Sequence, residues 1–412
     1  MRKSLGLLLV LVAAGAIAAG ASAGHRATKA TTVTLSGWAS SPAETASLQA
    51  TIAAFEKSHP SIKVNYAPIN GDYATAMVAK FAARTPPDVF YIDSSVFPDW
   101  AKQGALLPLD SYIKKTHFKT KPFYSKLLDA FRYKGHIYGF PKDWSSLGIQ
   151  MNTAMMAKAG ITTAPTTWAQ LLADATKLNN TGAVPGNGKP MCLAADWARL
   201  GAFVFQNGGS FLNASKTAAT WDTPKVAGAV SYYLSYIQKG LAATPAQLGV
   251  GWCGEALGKQ KAAIIMEGPW VQPYMSSTFP DVGYKAFPMV SKGPHSGFGN
   301  WAFTVSYSIG RDSPHKAEAW TLLSYLTGRQ GMKVWTSKGV AMSSRSDVPA
   351  LASQKSFVVA APYSHPWQFA PGFHNVTDQA GNELQAVFDG KETVATMLQK
   401  IQQQATAALN GG

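Results

Sequence analysis

Between Val33 and Ile92 short β-branched runs alternate with amphipathic helical stretches, and this alternation limits the fold more than any other feature. Val33-Thr34-Leu35 reads as a strand. Pro42 to Ser58 reads as a helix with Leu48, Ile52 and Phe55 on one face, stopped by Pro60. Ile62 to Tyr66 is a second strand, Tyr73 to Ala83 a second helix and Val89 to Ile92 a third strand. Such a βαβαβ order predicts a parallel sheet with helices on both faces. Ligands of these sheets sit beyond the carboxyl ends of the strands. Gly37 and Trp38 follow the first strand, and Asp93, Ser94 and Ser95 follow the third.

The N-terminus reads as a secretory leader over residues 1–23. Arg2 and Lys3 precede an apolar stretch from Leu5 to Ala19, and Ala21-Ser22-Ala23 fits the small-residue cleavage pattern. No cysteine near that point offers a site for lipid attachment, and no other segment has the length of a spanning helix. The expected location is therefore outside the cytoplasm. Roughly 390 residues remain, enough for two lobes. The formal charge of +15 reflects a shortage of acids, since Asp and Glu total 22 and the Lys and Arg form no long run. That balance speaks against nucleic acid, which asks for a clustered patch. A negatively charged envelope surface is the more natural neighbour. Cys192 and Cys253 are the only cysteines, and in an oxidising compartment a disulfide between them is expected.

From Lys134 to Met151 the sequence changes character. A turn at Lys134-Gly135 separates two strand-like pieces, and the second is interrupted from Pro141 to Trp144, as expected where a chain crosses between lobes. Helices are predicted over Thr167–Leu178, Trp197–Gln206 and Pro224–Lys239, with a loop from Asn179 to Pro190. The segment Lys259 to Trp270, KQKAAIIMEGPW, carries a buried strand onto the sharp Gly268-Pro269 turn and delivers an indole there. Gly297 to Tyr307 reads as a returning strand, Pro314 to Trp335 as a helix broken near Gly328 and Gly331. A last helix over Thr393–Leu409 has Val394, Leu398, Ile401 and Ala405 on one stripe.

In this order the chain resembles the extracellular carbohydrate-binding proteins of bacterial ABC importers, the group that includes the maltose-binding protein. The likeness runs through VTLSGW, AAFEKSHPSIKV, PPDVFYID, GALLPLD and KGHIYGFPKDWSSLGIQMN. It continues through KAAIIMEGPW, GNWAFTVSYS, HKAEAWTLLSYLTGRQGMKVW and GVAMSSR. The resemblance implies an α/β fold of the type II periplasmic-binding-protein kind, with two lobes of discontinuous segments joined by a multi-strand hinge. Residues 24–142 and 306–341 would form the N-terminal lobe, and residues 143–305 and 342–412 the C-terminal lobe. It also implies a ligand between the lobes and a membrane permease as partner. The protein would act as a monomer without enzymatic activity, cofactor or metal.

A sugar presents hydroxyls at its edge and C–H patches on its faces, which planar polar groups and aromatic rings match. The candidate ligand-binding residues are Trp38, Trp144, Trp270 and Trp301 for the faces. Asp93, Asp143, Asn300 and Arg345 are the candidates for the edges. Trp270 carries over best from the resemblance, through its GPW turn, and Trp367 in a later loop is a further candidate. Trp100, Trp168, Trp221, Trp320 and Trp335 lie on helical patterns and read as core. Two other classes are open. A secreted glycan hydrolase needs two carboxylates at a set distance, but HExxH, GxSxG and Gly-rich phosphate motifs are absent. The same architecture could also take a glycerophosphodiester, a polyamine or a metal chelate, with Arg345 serving an anion.

Overall fold

A computed structural model describes residues 30–39 and 41–411, so the leader expected over residues 1–23 lies outside the described residues. Two mixed sheets organise the chain. In the first, β1 (Thr31–Ser36) pairs in parallel with β2 (Ile62–Tyr66) and with β3 (Val89–Asp93). The helix Pro42–Ser58 between them starts where Ser41 accepts a hydrogen bond from the Glu44 amide at 3.2 Å and Pro42 fills the first turn. It buries Leu48, Ile52 and Phe55 against the sheet. The sheet is not wholly parallel as expected, because the returning strand joins the far edge of β3 in the opposite direction.

A hairpin of β4 (Arg132–Tyr133) and β5 (His136–Ile137) turns through Lys134 and Gly135, both with positive φ, of 48° and 84°. Two left-handed residues in succession make the tight turn that matches strand twist. The chain then runs up β6 (Gly139–Ser145) in the first sheet, crosses at Ser146-Leu147, and enters the second sheet as β7 (Gly148–Asn152). There β8 (Lys189–Cys192), β9 (Ala242–Ala243), β10 (Ala262–Glu267) and β11 (Tyr284–Pro288) complete the order β11-β7-β10-β8-β9. β10 is central and buried at all six positions, as its apolar run requires. Finally β12 (Asn300–Ile309) passes back into the first sheet between β3 and β6. The short β13 (Ser364–Pro366) pairs with its first three residues.

Each sheet has its own hydrophobic core. One draws on residues between 33 and 140 and between 307 and 348, including Phe55, Tyr91, Trp100 and Trp320. The other draws on residues between 147 and 301 and between 369 and 405. A small cluster of Leu127, Trp144, Ala302, Met342 and Phe357 sits where the chain crosses. The segment from Pro314 to Trp335 forms two helices, Lys316–Leu326 and Arg329–Thr336, parted at Thr327-Gly328, where a break near Gly328 is expected. Gly331 lies inside the second, where a Cβ would strike the Tyr325 carbonyl. The helix His374–Phe388, unanticipated in sequence, packs against the last helix, Val394–Gly411.

Cys192, at the end of β8, is bonded to Cys253, the first residue of the helix Cys253–Gly258. Both sulfurs are sealed in a small core with Leu257, Ile265 and Val271 behind β10. The closed loop is 61 residues long, for which chain entropy gives about 4 kcal/mol. Changing both cysteines to serine should lower the unfolding free energy in urea by about 2–4 kcal/mol, with a steeper transition slope because the unlinked denatured chain is more expanded.

Candidate ligand cleft

The floor of the cleft is set by the register of β12. Along it Ala302, Thr304 and Ser306 are buried, whereas Phe303 and Val305 between them are half-buried. A strand presents alternate residues to opposite faces, so Phe303 and Val305 point out of the sheet together. Val305 is in register with Asp93 on one side and Asp143 on the other. β3 and β13 approach the same edge of β12 from opposite ends and stop beside Phe303. The Ser94 amide donates to the Thr304 carbonyl at 3.1 Å, and the Trp367 amide to the Ala302 carbonyl at 2.9 Å. The Ser94 hydroxyl then donates to the Trp367 carbonyl at 2.9 Å, tying the two ends together. The Phe303 ring consequently lies 5.9 Å from that of Trp270 and 6.2 Å from that of Trp367.

The second-lobe wall is built on the carboxyl ends of β8 and β10. The indole N–H of Trp270 donates to Glu267 Oε2 at 3.0 Å, and Arg199 Nη2 donates to the same oxygen at 2.6 Å. Asp196 caps the helix Trp197–Gln206 and holds Arg199 Nη1 at 3.1 Å. A Cβ at Gly268 would run into the Trp270 ring, so that ring lies directly on the backbone. Glu267 is 1% exposed. Burial pushes its carboxyl above the ordinary range, opposed by the Arg199 guanidinium, which stays charged. Arg199 Nε has no hydrogen-bond partner among the described residues.

The first-lobe wall carries a second buried charge cluster. Lys142 Nζ lies 2.6 Å from Asp143 and 3.3 Å from Glu44, over the rings of Trp335 and Tyr91. Burial alone would discharge this ammonium, but Asp143 and Glu44 outweigh it and hold its pKa above the usual lysine range. Trp335 donates its indole N–H to Asp143 at 3.1 Å. Trp38 stands half-buried and edge-on to Tyr73 and Tyr91, at 5.1 and 5.2 Å. Asp93, also half-buried, accepts from the amide and hydroxyl of Ser95 at 2.8 and 2.6 Å.

The eight residues singled out in sequence therefore separate into groups. Trp38, Asp93 and Trp270 are half-buried at or just beyond strand ends. Asp143 borders the same region but is buried against Lys142. Of the other four, Trp144, Asn300 and Trp301 are packed at the hinge and Arg345 is buried in the first lobe. Trp144 shares the face of Thr304, opposite that of Phe303, and donates to the Ser343 carbonyl at 3.0 Å. Asn300 bonds the backbone of Leu147 through both ends of its amide. Trp301 donates to the Trp197 carbonyl at 3.0 Å and stacks against Phe211. Arg345 is forked onto Asp347 by two bonds of 2.8 Å, over the ring of Phe123. Their polar atoms are spent on the protein itself, and the expectation that they line the cleft gives way to a role in holding it. Trp367, a secondary candidate in sequence, stands at the floor. Phe303, Asp196, Arg199, Lys142 and Glu44 had not been singled out. The available signal for Asp196 was its position as a helix cap directly after the strand Lys189–Cys192. A separate cavity of about 210 Å³ behind the hinge is lined by Tyr124, Leu127, Trp144, Ala302 and Ser364.

Comparison with known proteins agrees with this fold. The model of the bacterial extracellular solute-binding proteins matches residues 38–333. The chain belongs to that family. A Brucella abortus protein named only as a binding protein is 24% identical over 368 residues, 86% of this chain and 88% of its own. Among solved structures, an ABC substrate-binding protein from Listeria monocytogenes in complex with cycloalternan superposes with a TM-score of 0.81. It is 20% identical, over 92% of this chain and 99% of that one. A Mycobacterium tuberculosis protein in complex with glycerophosphocholine superposes with a TM-score of 0.78. It is 18% identical, over 91% of this chain and 98% of that one. The fold is thus that of the type II periplasmic binding proteins, with one α/β lobe on each side of a crossing strand.

Glu267 fixes the orientation of Trp270 and neutralises Arg199 at once. Glu267→Ala should cost about 3 kcal/mol in urea unfolding, because it leaves Arg199 with Asp196 alone and the Trp270 indole without its acceptor, and should broaden and shift the tryptophan emission. Glu267→Gln, which can still accept from the indole, should keep the native emission while losing stability.

Proposed function

We propose that this protein is the substrate-binding component of an ABC importer that takes a neutral sugar or oligosaccharide between its lobes and presents it to a membrane permease. Trp270, Phe303 and Trp367 converging at the crossing strand support this most directly. Their faces suit the C–H faces of pyranose rings, while Asp93, Asp196 and Arg199 stand at the edges to meet hydroxyls. Trp38 faces them from the first lobe. The chain is exported, with cleavage after Ala23, and works as a monomer whose lobes close on the solute. Family membership supports an extracellular location and a binding role in place of catalysis.

The glycerophosphocholine complex of the Mycobacterium tuberculosis relative keeps a second reading in view. Charge argues against it here. Arg345 is paired with Asp347, and the charge of Arg199 is balanced by Glu267 and Asp196, so neither guanidinium brings a net positive charge to a phosphate.

A thermal-shift panel of neutral oligosaccharides, glycerol phosphodiesters and polyamines tests the reading. A ligand at a hundred times its Kd adds about 2.7 kcal/mol, so one neutral saccharide should raise Tm and the phosphodiesters should not. Stabilisation by phosphodiesters alone would overturn it. Trp270→Ala and Trp367→Ala should each weaken the binding of that saccharide by about 10- to 100-fold in calorimetry, equivalent to about 1.4–2.8 kcal/mol. Small-angle scattering of the native protein should show compaction when saccharide is added, and the saccharide should be recovered intact.

A further inference from the structure

The positive charge forms no long run, yet one segment is rich in it. Between Lys102 and Lys134 stand eight Lys and Arg against two Asp. Both acids are occupied, Asp129 by Arg132 at 2.8 Å and Asp110 by His136 at 3.2 Å. Four of the lysines, Lys114, Lys115, Lys119 and Lys121, are exposed on the end of the helix Asp110–Thr116 and the loop after it, with His117 among them. The loop is not loose. Phe118 packs edge-on to Trp320 and Phe140, and the Pro122 carbonyl accepts from the amide and hydroxyl of Ser346. The one acid bordering this face from the neighbouring segment, Asp347, is held by Arg345, with Arg329 on its backbone carbonyl.

We propose that this face of the first lobe docks on the anionic phosphate surface of a lipid bilayer. The chemistry of the cations selects that partner. They are lysines, point charges on flexible stems, without the forked geometry that reads a base or a fixed phosphate. A diffuse, laterally mobile sheet of phosphates asks for no more than that. Among the described residues no helix is long and apolar enough to cross a membrane, so the contact is peripheral. The face is separate from the aromatic cleft, so a solute and a bilayer would not compete for the same residues.

Flotation of the full mature chain with vesicles tests this. Phosphatidylglycerol–phosphatidylcholine vesicles should carry the protein at low salt and release it as salt shortens the screening length. Pure phosphatidylcholine should not carry it. The combined change Lys114→Glu, Lys115→Glu, Lys119→Glu and Lys121→Glu should weaken vesicle binding on the order of a hundredfold, since each lysine near such a surface is worth about fivefold. The same number of reversals elsewhere, at Lys57, Lys225, Lys239 and Lys355, should leave most of the binding in place. All four control lysines are exposed, and circular dichroism verifies the fold of both variants. Equal loss in the two variants, or equal binding to both kinds of vesicle, would overturn the proposal. So would tight binding to duplex DNA or polyglycerol phosphate in solution with none to vesicles.

Discussion

One strand belongs to two cores. The first three residues of β12 pair with β13, and Trp301 and Ala302 among them are sealed at the hinge. Its last seven pair with β6, with β3 or, from Val305 to Ser308, with both. A slip of one residue would turn Phe303 and Val305 into the sheet and force Thr304 and Ser306 out. Both ends resist that slip. Asn300 is locked to Leu147, and Ile309 is buried in the first core. The ring at the cleft floor is therefore placed by pairings on each side of it. The cluster of Trp144, Met342 and Phe357 braces the strand from behind.

The walls rising from that floor share one device. On each, a buried carboxylate accepts from an indole N–H and is neutralised by a cation, Glu267 with Trp270 and the half-buried Arg199, Asp143 with Trp335 and the buried Lys142. Such clusters are costly to desolvate and tolerate little rearrangement once formed. Their value here is orientation, since a ring held at its nitrogen does not rotate. They also leave the walls acidic inside a chain of formal charge +15. Glu44, Asp93 and Asp143 outnumber Lys142 on one side, and Asp196 and Glu267 outnumber Arg199 on the other. A phosphate entering between them would meet excess negative charge, whereas a neutral polyol meets hydrogen-bonding groups already in position.

Much of the architecture is legible in the sequence where local signals agree. The helices Pro42–Ser58 and Trp197–Gln206 carry a cap, an apolar stripe and a clear stop, and the structure gives those bounds. The helix His374–Phe388 has buried positions at Val376, Ala380 and Leu384 but no side-chain cap and a glycine inside, so its periodicity is diluted. Trp221 is buried as expected, yet in a loop before the helix Pro224–Gln238. The site is harder to read because facing depends on register. Trp144 and Trp301 both lie at the crossing, and only pairing with β12 tells which face each ring takes. Arg345 is two residues from Asp347, close enough for the pair to satisfy itself, a neighbour relation visible in sequence and outweighed there by the family pattern.

Rigid walls matter because closure around a solute is a small difference between large terms. Moving a two-state equilibrium from almost fully open to almost fully closed takes about 5.5 kcal/mol of preference for the closed form. Burying about 200 Å² of apolar surface contributes about 5 kcal/mol, the scale of two indole faces meeting the two sides of a sugar ring. That gain survives only if the rings lose little freedom on contact, since ordering a mobile side chain costs about 0.5–1.5 kcal/mol. Trp270 is already ordered by Glu267 and by the backbone of Gly268, and Trp38 by Tyr73 and Tyr91. The ordering cost is met during folding, by contacts made within each lobe, which leaves the apolar contact free to act on the hinge.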